Sequence, residues 1–156
     1  MKKIVPMAIR KATKQDLHPL ALLFDKYRVF YRKESAIEAA KAFLEDRIEL
    51  KDAVIYVDEL ENGDLTGFAQ LYPIFSSTRM KRLWLLNDLF VAPKYRGRGI
   101  SKRLLEQAKI LVQETNACGF FLETEKSNTI GNQLYPAVGM SLNEMNNYYY
   151  WDKYVH

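Results

Sequence analysis

The chain has 156 residues, 48% of them apolar and 27% charged, the composition of one folded domain (1–156) and not of a disordered or low-complexity chain. Its net charge of +4 is mild, and the lysines are scattered, so no broad basic face of the kind general nucleic-acid binding uses is expected. Cys118 is alone, which rules out an intramolecular disulfide, and His18 and His156 are too few and too isolated to build a metal site.

Met1–Arg10 carries a short apolar run broken by Pro6 and ended by Arg10. It is too short for a signal-peptide core, and no later stretch is long enough to span a bilayer. With one cysteine and no span, the expected setting is cytoplasmic, without a membrane partner. Met7–Lys11 alternates as a strand. Thr13–Asp16 reads as a helix cap, with Pro19 tolerated in the first turn. Leu17, Leu20, Ala21, Phe24 and Tyr27 or Arg28 then make one apolar helix face. Ser35 to Glu38 reads as a capping box, and Ala39, Ala40, Phe43, Leu44 and Ile48 continue a second helix.

Ala53–Glu59 and Leu65–Tyr72 are β-rich and flank Asn62-Gly63, the strongest short-range hairpin signal. Ile74–Lys81 reads as a polar loop and Arg82–Ala92 as a strand that Pro93 ends. Ile100, Leu104, Leu105, Ala108, Leu111 and Val112 form a helical stripe. Gly119–Glu123 is expected as a strand, Thr129–Val138 as a short helix, and Met140–Tyr154 as one or two closing strands. The order β-α-α-β-β-β-α-β-α-β predicts an α/β domain with a mixed sheet.

The most informative stretch is Leu86 to Leu105, where an apolar strand runs through Pro93 into Arg96-Gly97-Arg98-Gly99 and straight onto a helix. Free backbone N–H groups and the positive end of the helix dipole attract anions there, and glycine lets phosphate oxygens approach the backbone. The nucleotide-triphosphatase loop is excluded because no Gly-Lys-Ser/Thr follows. The dinucleotide fingerprint is excluded because its third glycine is Lys102.

The pattern that fits is Arg/Gln-x-x-Gly-x-Gly/Ala, met by Arg96 to Ile100 with Ser101 in the last place and preceded by Leu89-Phe90-Val91. This resembles the acetyl-coenzyme A loop of the GNAT N-acetyltransferase superfamily, closest in pattern to its polyamine- and histone-type members. Residues 127–140 resemble that superfamily's second cofactor motif through Asn128, Tyr135 and Gly139. The resemblance implies a GNAT-like fold: a mostly antiparallel twisted sheet with helices on both faces. It also implies acetyl-CoA as the acyl donor and a primary amine as the acceptor: a small amine, polyamine, amino acid or lysine side chain.

The same resemblance assigns the parts. Backbone N–H groups of Arg98, Gly99, Ile100 and Ser101 would face the pyrophosphate, with Arg96, Gly97 and Lys102 beside them and Asn128 in the second motif. The backbone of Leu89, Phe90 and Val91 would pair with the pantetheine arm. Tyr135, whose phenol ordinarily stays protonated at neutral pH, is the candidate acid toward the leaving thiolate. Asp88 stands in an apolar strand where a carboxylate needs a partner or a ligand. It reads either as the group that binds the substrate ammonium or takes its proton, or as a structural cap. Asn87 replaces the glutamate that diamine acetyltransferases carry and can hold a water but not act as a base.

Tyr27 and Tyr31 at the joint of the first two helices, and Glu125, are the substrate-side candidates. Tyr148 to Trp151 alternate as an aromatic strand, and a second copy of the chain is the natural cover if both faces are buried, which makes a homodimer an expectation. Two other readings stay open: a non-catalytic acetyl-CoA sensor or interaction domain, which Asn87 favours, and a small basic RNA-binding domain, which leaves residues 128–140 unexplained.

Overall fold

Alternating side chains and tight turns place three long antiparallel strands in the middle of the chain, and helices cover the sheet they build. The structure, a computed structural model, describes residues 6–154. The readings of Met1–Val5 as part of a leader-like run and of His156 fall outside those residues. The backbone divides into two compact units, Met1–Glu123 and Thr124–His156.

In the first unit β1 (Pro6–Lys11) leads to α1 (Leu17–Phe30) and α2 (Ile37–Leu50). Then come β2 (Val54–Leu60), β3 (Leu65–Ser76), β4 (Lys81–Val91), α3 (Ile100–Glu114) and β5 (Phe120–Phe121). The sheet order is β1-β2-β3-β4-β5, with the first four strands antiparallel and β5 parallel to β4. The second unit holds α4 (Thr129–Ala137). The expected α/β architecture, with a mixed and mostly antiparallel sheet, is therefore present. Among the described helices none is long and apolar enough to cross a membrane.

Alternation decides which helix covers which face. Phe68 meets Phe24 and Tyr27 of α1 at ring distances of 5.9 and 5.8 Å. Its neighbour Gly67 turns the other way, with an ideal Cβ 3.3 Å from Ile100 of α3. Helices thus lie on both faces of the sheet. Leu20 and Leu44 on one side and Leu104 and Leu105 on the other are fully buried. Burying such a leucine contributes about 1.5–3 kcal/mol of transfer free energy.

Several local readings change. Ser35 does not cap α2: its hydroxyl donates to Asp25 of α1 at 2.6 Å, and the Ala36 N–H donates to the other oxygen of that carboxylate at 2.7 Å. One carboxylate from the preceding helix outcompetes the local box because it serves two donors, which also hold Asp25 below its ordinary pKa. β3 runs through Pro73 to Ser76, so the first three residues of the expected loop are strand and the turn is confined to residues 77–80. β2 begins at Val54, opposite Leu71, and a proline of β3 beyond that pair costs no hydrogen bond to β2.

β5 keeps only two of the five residues expected of it. The closing strands are not formed. Among the described residues after α4 there is no ladder, and Tyr148, Tyr149, Tyr150 and Trp151 are each at least 73% exposed. Aromatic alternation gives a strand its faces, but only a partner gives it hydrogen bonds, and the segment has none.

Candidate functional site

The site in the first unit is set by an irregularity in β4. Gln70 of β3 pairs with Asp88, but the next residue, Leu71, pairs with Leu86, so Asn87 is an extra residue bulged out of the ladder. A bulge re-aims its neighbours. Asn87 is exposed, whereas Asp88 turns into the protein with 4% of its surface left.

Asp88 is held by neutral donors. Gln70 Nε2 donates to Oδ2 at 2.7 Å, and Asn87 Nδ2 donates to Oδ1 at 3.1 Å. Tyr27 stands over the pair, and its hydroxyl donates to the Asn87 carbonyl oxygen at 3.4 Å. Burial pushes the Asp88 carboxyl above its ordinary pKa, and the donors from Gln70, Tyr27 and Asn87 offset part of that shift. Burial, followed by the Asp88 charge, raises the phenols of Tyr27 and Tyr72, which keeps both rings neutral. Tyr31 packs edge-on to Tyr27 at 5.0 Å. The structure therefore gathers Asp88, Asn87, Tyr27 and Tyr31 in one cluster, an acidic group beside aromatic rings.

One edge of β4 is open beside it. The β4–β5 ladder pairs only Trp84 with Phe120 and Leu85 with Phe121. From Leu86 to Val91, which includes Leu89 and Phe90, β4 has a strand partner only in β3 among the described residues. Backbone groups on the far side of such a strand are available to an extended ligand.

The loop after β4 completes the arrangement. Gly97 and Gly99 have φ of +76° and +75°, and a Cβ at either would meet nothing within 4 Å, so the need for glycine there is backbone conformation with open space in front. Arg96 to Gly99 are exposed, and Ile100 is the buried first residue of α3, followed by half-buried Ser101 and exposed Lys102. The arginines are already in use. Arg96 Nε donates to the Val91 carbonyl at 3.0 Å, and its guanidinium lies over Phe30 and Phe90. Lys94 and Arg98 both lie over the Tyr95 ring.

Arg103 ties the loop to the sheet, donating to the Arg98 carbonyl at 3.3 Å and to the fully buried Asp58 at 2.8 Å. The other Asp58 oxygen accepts the Thr66 hydroxyl. Sequence reasoning missed Gln70, Tyr72, Gly67 and Asp58. Gln70 and Asp58 are polar residues inside β-rich runs, and that is the one sequence signal that marked them.

In the second unit, Asn128 caps α4. Its Oδ1 accepts the Gly131 N–H at 3.1 Å, and its Nδ2 donates to Thr124 Oγ1 at 2.9 Å. Gly131 is buried, and a Cβ there would lie 2.5 Å from Asn128 and 3.2 Å from the Tyr135 ring. Tyr135 is half-buried on α4 and Glu125 is exposed.

Comparison with known proteins bears on both units. The profile of the Acetyltransferase (GNAT) family matches residues 20–140. An uncharacterised N-acetyltransferase, YhfO of Bacillus subtilis (strain 168), is 45% identical over 133 residues, or 85% of this chain and 89% of that protein. A probable acetyltransferase of known crystal structure superposes with a TM-score of 0.89 at 38% identity, over 94% of this chain and 97% of its own. An aminoglycoside N-acetyltransferase solved in complex with CoA shares the fold, with a TM-score of 0.80 at 19% identity over 98% and 99% of the two chains.

Proposed function

We propose, from the premise that the chain belongs to the GNAT family of acetyltransferases and is an acyltransferase, that it moves an acetyl group from acetyl-CoA to a primary amine by direct attack in a ternary complex. The observation that carries this reading is the unpaired edge of β4 running from a buried carboxylate, Asp88, to a glycine loop that opens α3. That geometry suits a ligand that is extended at one end and anionic at the other.

The residues fit such a donor. Positive-φ glycines with open space in front, at a helix N-terminus, are a cradle a phosphate group can enter. Arg98, Gly99, Ile100 and Ser101 would hold the pyrophosphate by backbone N–H groups, and Leu89 and Phe90 would hold the pantetheine arm. The Val91 carbonyl already accepts the Arg96 side chain. When bound, acetyl-CoA supplies an activated thioester carbonyl.

An amine with a pKa near 10 arrives mostly as ammonium. In its ionised form Asp88, buried and without an ion-paired cation among the described residues, attracts that ammonium and accepts one proton, which leaves the nitrogen lone pair free. Asn87 orients a water or the amine at the bulge. Tyr27 stands by the Asn87 carbonyl with Tyr31 packed against it, and aromatic faces there favour a cation. The acid toward the departing thiolate is assigned to Tyr135 from the likeness of residues 127–140 to the family's second motif. A single domain, a cytoplasmic setting and a homodimer belong to the same reading.

Thiol release from acetyl-CoA across a panel of diamines, amino acids, aminoglycosides and lysine peptides tests the function. Turnover with at least one amine is expected. Tight CoA binding with no thiol release would restore the sensor reading. Tyr135→Phe should lower kcat by about ten- to a hundredfold with little change in CoA affinity, and steady-state kinetics beside calorimetry read the two separately. Gly99→Leu should abolish CoA binding, because the side chain fills the space before the loop and resists φ of +75°. A normal dissociation constant by calorimetry would remove the loop from the assignment.

A further inference from the structure

Gln70 is fully buried in the middle of β3, on the face where Phe68 packs against α1. Its amide is polarised in one direction. Nε2 donates to Asp88 Oδ2 at 2.7 Å, while Oε1 is buried without a partner. A buried amide oxygen left unpaired destabilises the fold, and a leucine would fill a similar volume without that cost. What the amide gains in exchange is confined to one contact, the Asp88 carboxylate.

The two oxygens of that carboxylate are held from different sides. Oδ2 is taken from inside the sheet by Gln70, and Oδ1 is reached by Asn87, the exposed residue of the bulge. We propose that Gln70 is a positioning residue for the acyl transfer: by fixing Oδ2 from within, it leaves Oδ1 as the oxygen that faces the amine and takes its proton. In that step the ammonium N–H bond breaks and an O–H bond forms at Oδ1, leaving the electron pair on nitrogen. The inference rests on the reading of Asp88 as proton acceptor.

The surroundings make the amide hard to replace. The titratable groups facing Asp88 are Tyr27 from α1 and Tyr72 from β3. Arg47 of α2 and Asp52 act on Tyr72, and β5 presents only Phe120 and Phe121. No cation among the described residues forms an ion pair with Asp88, so neutral donors alone stabilise its charge. Gln70 is fully buried, and its contact with Asp88 is shorter than that of Asn87. A donor to the ionised form favours that form, and its loss makes the acid weaker.

The test is the titration of Asp88 itself, followed by its carboxyl carbon resonance and assigned by its disappearance in Asp88→Asn. Gln70→Leu should shift the midpoint to higher pH by about tenfold in acid strength and move the acid limb of kcat/KM in the same direction, with KM for acetyl-CoA unchanged. If Gln70→Leu does not fold, Gln70→Met, which also lacks the donor, carries the measurement. An unmoved midpoint in a folded variant overturns the proposal.

A double-mutant cycle separates the two claims. Gln70→Leu should cost nothing further in kcat when Asp88 is already Asn. A further loss there would show that Gln70 acts by a route other than Asp88. Unchanged turnover in Asp88→Asn alone would remove Asp88 as the acceptor, a failure distinct from an unmoved midpoint.

Discussion

Asp88→Asn is expected to lower kcat/KM for the amine by about 10²- to 10⁴-fold, the range a positioned general base contributes, while leaving the fold intact or more stable. The two signs come from the same burial. Asp88 is 4% exposed, and burial raises its pKa above the ordinary value. A carboxyl whose pKa is higher in the fold than in the unfolded chain destabilises the fold once it ionises, so stability declines as pH rises through that window. Asparagine stays neutral and removes that penalty.

Activity depends on pH in the opposite sense. The carboxylate must be ionised to accept a proton, so kcat/KM should fall as pH falls through the raised pKa. That acid limb should be absent in the variant. Paired kinetics and thermal melts check both halves. A variant that loses activity and stability together would make Asp88 a structural residue, the alternative its sequence context leaves open.

Gly67→Ala should be costly for a different reason. A Cβ there would lie 2.8 Å from the Phe90 carbonyl oxygen, 3.1 Å from Val91 Cγ2 and 3.3 Å from Ile100 Cγ2. The nearest obstacle is backbone, which cannot rotate away. Either β4 or the start of α3 has to move. Overpacking of this kind costs about 1–3 kcal/mol, about 2–12 °C in melting temperature for a chain of this size. Because Ile100 is the first residue of α3 and Phe90 lies on the open strand, CoA affinity should fall as well. Gly97→Ala is the control: its Cβ has open space, so only the positive φ is penalised, by about 1–2 kcal/mol. Calorimetric melting of both variants, with and without CoA, checks the order. Gly67 has no positive φ, so an unchanged melting temperature in Gly67→Ala would show that β4 and α3 yield to the added methyl without cost.

The parts legible in the sequence are those whose cause is local. Asn62-Gly63 produces the hairpin turn because two consecutive residues suffice to choose it, and the stripe from Ile100 to Leu111 is buried as its spacing implies. The glycine turn that opens α3 is legible because Gly97 and Gly99 sit directly before the helical stripe.

What was hidden depends on register. Nothing in the run Leu85 to Phe90 marks Asn87 as the bulged residue, since that follows from how β4 meets β3. Gln70 and Asp88 are 18 residues apart in sequence and become partners only through that pairing. Arg96 reads as a phosphate ligand from its motif, yet its side chain is drawn to Val91 and two aromatic rings that the fold delivers. The aromatic tail shows the opposite failure: its alternation is right for a strand, but no alternation can supply the neighbouring strand that makes one.

The open side of β4 has a further consequence, for colloidal behaviour. A row of backbone donors and acceptors without a strand beside it invites any extended polypeptide, including another copy of the same chain. Two features blunt it here: the kink at Asn87 breaks the straight run, and the Arg96 side chain occupies the Val91 carbonyl. Between them lies a short stretch with no second strand partner among the described residues. If the proposed donor lies along this strand, the ligand-free protein should be the form most open to edge-to-edge association.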